Sequence, residues 1–231
     1  MDHEKLVQQL QNMAPVEGLQ LVGERYGSNA RLSSSLGIED QVLTYWIATH
    51  HIPIHIFTID TGRLFQETYD VLDLTRRKFD IDIQVFFPER NAVEELVNTK
   101  GPNSFFASIE NRKECCYIRK VEPLGRALAG ADVWITGLRS DQSHNRQQMQ
   151  VAEWDEQRRL IKYNPLLHWS MNEVEKEVNA HHIPVNTLHR KGYPSIGCAP
   201  CTRAILPGEN ARAGRWWWES SAKECGLHQT K

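Results

Sequence analysis

Cys115-Cys116, Cys198-Ala199-Pro200-Cys201 and Cys225 are the residues of this chain best equipped for chemistry, and they account for all five of its cysteines. An adjacent pair and a pair two residues apart can supply four thiolates to a zinc ion or an iron–sulfur cluster. Directly adjacent ligands suit a cluster with separated iron corners better than a single zinc ion, around which spacers of two to four residues normally let the chain wrap. A redox disulfide at Cys198 and Cys201, with a buried apolar cysteine elsewhere, is the reading that needs no metal. The fifth thiol is left over. Cys225 stands in Lys223-Glu224-Cys225-Gly226-Leu227-His228, where Lys223 and His228 favour the reactive thiolate. An exposed terminal cysteine without a role is the plainer reading of the same residues.

Three polar turns offer groups suited to an anion. In Ser33-Ser34-Ser35-Leu36-Gly37-Ile38-Glu39-Asp40, hydroxyls and backbone N–H groups come together where a strand gives way to a helix, as a phosphate or sulfate would require. The pattern is not a Walker loop, because no Gly-Lys-Ser follows, and a serine cap accounts for Ser35 almost as well. Asp60-Thr61-Gly62-Arg63 can border the base or sugar of a nucleotide, or be an ordinary turn. The run from Thr136 to Arg146 carries two fixed cations, Arg139 and Arg146, beside the donors Gln142 and Ser143, a set suited to bidentate grip on phosphate or sulfate. Arg203, Arg212 and Arg215 precede or adjoin Trp216-Trp217-Trp218, and interleaved Arg and Trp can stack single-stranded nucleic acid. A formal charge of −2 argues against a long polyanion, so a single nucleotide fits better.

These groups need a scaffold, and 231 residues are enough for one substantial core. No run approaches the length and apolarity of a membrane span, and Met1-Asp2-His3-Glu4-Lys5 lacks the apolar region of a signal peptide, so a cytoplasmic location is expected. In a reducing compartment, closely spaced cysteines read as ligands or redox groups rather than staples.

The pattern predicts strands at Arg31–Ser35, Ile54–Ile59, Ile81–Phe87 and Asp132–Thr136, and a hairpin of Val151–Trp154 with Leu160–Tyr163. It predicts helices at Glu39–His50, Phe65–Phe79, Ala92–Thr99 and Cys116–Leu128, and at Asn172–Ala180 behind a Ser170/Glu173 capping box. Alternating strands and helices imply an α/β fold, a mostly parallel sheet with helices on both faces, followed by an irregular C-terminal tail. One domain over residues 1–231 is expected, with a helical segment at 1–28, a nucleotide-binding core at 29–185 and a cluster-binding, catalytic segment at 186–231. In such a sheet, ligands bind beyond the carboxyl ends of the strands, where the turns after Leu32, Ile59 and Ile135 fall.

Taken together, Ser33–Asp40, Asp60–Thr68 (DTGRLFQET), Lys113–Leu124, Thr136–Arg146, Tyr193–Ala204 (YPSIGCAPCTRA), Arg212–Glu219 (RAGRWWWE) and Lys223–His228 resemble the iron–sulfur branch of the adenylyl-sulfate and phosphoadenylyl-sulfate reductases. The resemblance implies an adenine-nucleotide α-hydrolase-like domain and a [4Fe–4S] cluster on Cys115, Cys116, Cys198 and Cys201. It makes Cys225 the nucleophile, with His228 and Lys120 in supporting roles, and implies reduction of adenosine 5′-phosphosulfate to sulfite and AMP. It also implies thioredoxin or glutaredoxin as reductant, and is compatible with a homo-oligomer. A phosphoadenylyl-sulfate or dual-substrate reductase, a non-catalytic iron–sulfur sensor and a single-stranded nucleic-acid binder are the competing readings. Two departures fall in the expected anion grip: Ser140 where the family has a second arginine after Arg139, and Asn145 where it has threonine.

Overall fold

The computed structural model of the chain describes residues 2–143 and 146–219. Two helices, α1 (Asp2–Leu10) and α2 (Pro15–Tyr26), lead into β1 (Ala30–Ser33), α3 (Ile38–Thr49), β2 (His55–Ile59), α4 (Gln66–Phe79) and β3 (Gln84–Phe86). Helices α5 (Arg90–Lys100), α6 (Ile109–Cys116) and α7 (Glu122–Leu128) follow, then β4 (Val133–Ile135), β5 (Ala152–Asp155), β6 (Leu160–Tyr163) and α8 (Met171–His181). The strands form one six-stranded sheet in the order β3-β2-β1-β4-β6-β5. β1 runs parallel to β2 and to β4, and β4 parallel to β6, while β5 is antiparallel to β6 in the expected hairpin. The mostly parallel α/β sheet read from the alternation of elements is therefore present. Among the described residues, no helix is long and apolar enough to cross a membrane.

The chain packs as two compact units, each built from separate stretches. The first takes the residues up to Thr58 with Glu67–Gln84 and Gly130–Asn186. Every residue of β4 and β6 is buried, and successive strand residues point to opposite faces, so the centre of the sheet is covered on both sides. Val42, Leu43, Trp46 and Ile47 of α3 are buried, as their helical spacing predicts. Ser170 and Glu173 form the reciprocal capping box that starts α8.

The second unit takes Ile59–Gln66, Val85–Ala129 and the chain from Thr187 onward. Here the helix expected over Cys116–Leu128 is present but starts earlier, so the adjacent cysteines lie inside a run of helical backbone from Ile109 to Leu128. Helix α6 begins early because the Ser108 hydroxyl caps it, accepting the Asn111 N–H at 3.2 Å. It runs out at Cys116 into a single π-helical stretch, Tyr117–Val121. Pro123, in the first turn of α7, has no N–H with which to close an α-helical bond on Arg119, and such gaps favour π geometry.

In the first unit, Asp40 ties two of the anion-suited turns together. Its carboxylate accepts the Ser35 backbone N–H and hydroxyl, each at 2.6 Å, and the Gly137 N–H at 3.1 Å. The approach demands glycine at 137, since a Cβ there would lie 2.3 Å from Asp40 Oδ1. Burial raises the Asp40 pKa to about 6, although the Ser35 bonds oppose the shift. A native pKa above the unfolded value means that the folded state binds the extra proton between roughly pH 4 and 6. Asp40 thus contributes stability that is fully present below pH ~4 and is lost as pH rises through about 6. We expect the stability of the wild type, measured against Asp40→Asn by urea unfolding, to rise by ~2–3 kcal/mol as pH falls from 7 to 4. A flat difference across that range would remove Asp40 from this role.

Candidate functional site

In the second unit, all four cysteines of the two pairs line one pocket. Cys198 and Cys201 are buried, Cys115 and Cys116 half-buried, and none of the four is joined in a disulfide. Cys115 and Cys116 arrive as the last two residues of α6. Cys198 and Cys201 are brought onto one short turn, with Pro200 in its first positions and the Cys201 N–H bonded to the Cys198 carbonyl at 2.9 Å. Thr202 secures that turn: its hydroxyl donates to Cys198 O at 3.0 Å and accepts the Gly197 N–H at 3.2 Å.

Four cations, Arg63, Arg112, Arg119 and Lys120, share the pocket wall with the thiols. Their presence answers an electrostatic problem. Burial, reinforced by the neighbouring Cys198, pushes the Cys201 thiol up to about 12. Burial likewise raises Cys115, with Arg119 pulling in the opposite direction. Thiols so placed become ligands only if positive charge replaces their protons.

The Asp60–Arg63 turn also belongs to this pocket. Asp60 Oδ1 accepts the Gly62 N–H at 2.7 Å, and Gly62 adopts φ +71°, a left-handed conformation that glycine enters freely. Thr61 Oγ1 lies 3.2 Å from Cys198 Sγ, and Arg119 Nη1 donates to the Thr61 carbonyl at 2.6 Å. The Arg63 carbonyl accepts the Ala199 N–H at 2.8 Å, while its guanidinium reaches Asn103 at 2.9 Å and lies over the Phe105 ring. The structure thus brings to the cysteines a turn whose sequence had suggested a nucleotide neighbour.

The donor set fits an iron–sulfur cluster. Among the described residues, no three Cys, His, Asp or Glu side chains converge closely enough to hold one metal ion, yet four thiols surround one space. That arrangement suits a group whose metal atoms stand at separate corners. Arg119 Nε, on the pocket wall, is buried without an acceptor among the described residues, as a donor meant for a sulfide would be.

The first unit holds the other expected residues. Ser33 belongs to the end of β1, where its hydroxyl accepts the Trp134 indole N–H at 2.7 Å. Ser34 Oγ accepts the Leu36 N–H at 3.2 Å, and Gly37 is the N-cap of α3 without a side-chain cap bond. Leu36 sits at φ +60°, an unusual backbone for a branched side chain and a sign that this turn is held in place by its surroundings. The Arg139 guanidinium is buried and turned toward carboxylates, with Nε donating to Glu39 at 2.9 Å and Nη1 to Asp141 at 2.5 Å. Gln142 bonds Glu39 at 2.8 Å and the Arg139 N–H at 3.1 Å, and it also accepts from Arg146, itself anchored by its N–H to the Ser143 carbonyl at 3.0 Å.

Arg212 and Arg215 lie in the second unit. Arg212 is partly exposed, whereas Arg215 is buried, stacked on Trp216 at 4.8 Å and bonded to Ser195 Oγ at 3.2 Å. Lys120 lines the cysteine pocket and favours the ionised form of Cys201. Cys225 and His228 lie outside the described residues. Sequence reasoning passed over Arg112 and Arg119, although each stands three or four residues from a cysteine along helical backbone, a spacing that places side chains together. It quoted Asp40 and Glu219 only as the ends of the Ser33–Asp40 and Arg212–Glu219 stretches and gave them no role, since their partners Gly137 and Arg112 lie far away in the chain.

The comparisons agree with this geometry. Residues 29–204 match the phosphoadenosine phosphosulfate reductase domain family. The protein named adenosine 5′-phosphosulfate reductase from Agrobacterium fabrum is 51% identical over 221 residues, covering 93% of this chain and 85% of its own length. The one from Burkholderia cepacia is 50% identical over 210 residues, covering 90% and 84%. Among solved structures, the phosphate complex of phosphoadenylyl-sulfate (PAPS) reductase from Candida auris aligns with a TM-score of 0.73 at 25% identity, over 87% of this chain and 95% of that one. A match over most of the chain, on a fold of the same kind and with relatives at half identity, means that this protein belongs to the phosphoadenosine phosphosulfate reductase domain family.

Proposed function

We propose that this enzyme reduces adenosine 5′-phosphosulfate to sulfite and AMP, in the cytoplasm and as part of sulfate assimilation. The observation that carries the reading is the pocket of four thiols and four cations, joined to relatives at about 50% identity that are named for this activity. Cys115, Cys116, Cys198 and Cys201 would hold a [4Fe–4S] cluster, which when bound links the end of α6 to the Ala199–Cys201 turn and adds a fixed charge to the local field. Arg63, Arg112, Arg119 and Lys120, on the pocket wall, would offset that charge.

Chemistry falls to Cys225. Its thiolate attacks the sulfur of the bound sulfuryl group, a new S–S bond forms, and AMP departs with the bridging oxygen and its electron pair. The product is a cysteine S-sulfonate. A dithiol of the thioredoxin or glutaredoxin kind then attacks the Cys225 sulfur, releases sulfite and closes its own disulfide, so the dithiol supplies both electrons. Attack by an anion on an anion needs screening, for which Lys120, Arg139, Arg146, Arg212 and Arg215 are the candidates, while His228 orients the thiol. In this turn the Ser34 hydroxyl, which accepts the Leu36 N–H, keeps its own proton for the nucleotide phosphate or sulfate, whereas both Ser35 donors are engaged by Asp40 and the Gly37 N–H by Ser35 Oγ. The family description and the fungal relative also support 3′-phosphoadenylyl sulfate as a second substrate.

With radiolabelled substrate and no reductant, we expect one label per wild-type chain and none on Cys225→Ser. That variant should also lose sulfite formation by ~10³-fold or more while binding AMP normally. Turnover by Cys225→Ser would overturn the nucleophile. Anaerobically purified enzyme should be brown, with about four irons and four sulfides per chain, and Cys198→Ser should lose both. A colourless protein with a single zinc would overturn the ligand set. Steady-state rates on the two nucleotides, which differ by one phosphate, decide between the substrates.

A further inference from the structure

In the second unit, Trp216 is held in a conformation that a bulky side chain rarely adopts. Its backbone sits at φ +40° and its side chain is buried, so the surroundings must impose the geometry. The backbone N–H of Trp216 donates to the Cys201 carbonyl at 3.1 Å, and that of Arg203 to the Gly214 carbonyl at 3.0 Å. Thr202 and Arg215 face each other between these bonds, so residues 201–203 and 214–216 run antiparallel. The guanidiniums of Arg112 and Arg215 lie 4.9 and 4.8 Å from the Trp216 ring centre. Glu219 closes the group. Its N–H donates to the Trp216 carbonyl at 2.9 Å, and its carboxylate accepts Arg112 Nε on Oε1 and Nη2 on Oε2, both at 2.9 Å. The ion pair is withdrawn from solvent, its side chains 4% and 3% exposed, and opening it strands a buried charge. Arg112 stands on α6 three and four residues before Cys115 and Cys116, a spacing that brings side chains together. Trp216 shares one buried cluster with Phe105, Cys198 and Cys201, against which Cys115 and Cys116 pack. The fork and the Trp216 backbone bonds thus join the two cysteine-bearing segments, and none of those bonds is made by a sulfur atom.

We propose that Arg112 and Glu219 are positioning residues for the iron–sulfur cluster: with Trp216 they lock α6 to the Ala199–Cys201 turn, and this lock sets how long the cluster is retained. The proposal rests on the reading of Cys115, Cys116, Cys198 and Cys201 as cluster ligands. A group whose ligands come from two segments is lost when those segments part. If other bonds keep the segments together, a thiolate that lets go stays beside the iron it left and rebinds before its neighbour follows, because its effective concentration there remains high. Stability alone does not call for a buried ion pair, since packed apolar residues would serve as well. The fork adds direction: a planar guanidinium meets a carboxylate in one orientation, which fixes how α6 presents its last two residues. Glu219 does not line the cysteine pocket, whereas Arg112 does, so replacing Glu219 loosens the lock and leaves the four cations of the wall in place.

The test times iron leaving the loaded enzyme. Anaerobically purified wild type and variants are mixed with excess iron chelator, and the decay of the cluster's visible absorbance is followed. Urea unfolding of each loaded enzyme, read by far-ultraviolet circular dichroism, reports general stability. Glu219→Ala and Arg112→Lys should release iron ~10–100-fold faster than the wild type, and Glu219→Gln by less. Arg112→Lys keeps the charge on the wall but has no fork, so release at the wild-type rate in it or in Glu219→Ala overturns the lock. Arg112→Lys/Glu219→Gln should cost no more than Arg112→Lys alone, because the two residues act as one unit, and costs that multiply overturn it. Arg112→Met/Glu219→Leu fills the place of the pair with apolar side chains and should unfold at the wild-type urea concentration, yet still release iron fast. Wild-type retention in that variant means that the pair serves stability alone, and it overturns the proposal. Should Glu219→Ala not fold, the apolar pair and Arg112→Lys decide. A wild type that carries no iron overturns the underlying reading of the four cysteines, whereas a loaded wild type with unaffected variants overturns the lock alone.

Discussion

Sulfur buried away from water keeps its proton, and the second unit is arranged around that constraint. Cys201 would ionise only near pH 12 on its own surroundings, because desolvation and the neighbouring Cys198 both oppose a second negative charge. Arg63, Arg112, Arg119 and Lys120 line the same pocket, and Arg119 and Lys120 oppose the upward shifts of Cys115 and Cys201. The capped start of α6, its change to π geometry and the left-handed glycine in the Asp60–Arg63 turn each deliver one of those charges or a hydrogen bond to the same place.

The first unit applies the same physics to a different end. Asp40 and Arg139 are charged residues whose partners lie inside the protein: the carboxylate holds the Ser35 and Gly137 backbones, and the guanidinium holds Glu39 and Asp141. An anion that reaches Arg139 has to compete with two carboxylates already in place. Arg139 therefore builds the frame of the loop, and the Ser140 departure falls beside a residue that is firmly seated.

Buried charge has a second use in the packing of the second unit. At the junction of Trp216 and Glu219, aromatic stacking, two backbone bonds and one forked ion pair meet at the point where the terminal segment begins.

What could be read from the sequence was whatever is local. Helical spacing located α3, the Ser170/Glu173 box located the start of α8, and the β-rich runs located the strands, because period and capping act within a few residues. The spacing of the four cysteines suggested that they act together, and the structure lines one pocket with all four; the roles given to them and to Cys225 came from the resemblance to a family. Tertiary structure alone decided the rest. Thr61 meets Cys198 across 137 residues and Arg139 meets Glu39 across 100, and no period connects positions so far apart. The order of the strands, the cations that surround the thiols and the partner that pins Glu219 all follow from how the elements pack. Packing is set by burial summed over the whole chain, which no local pattern records.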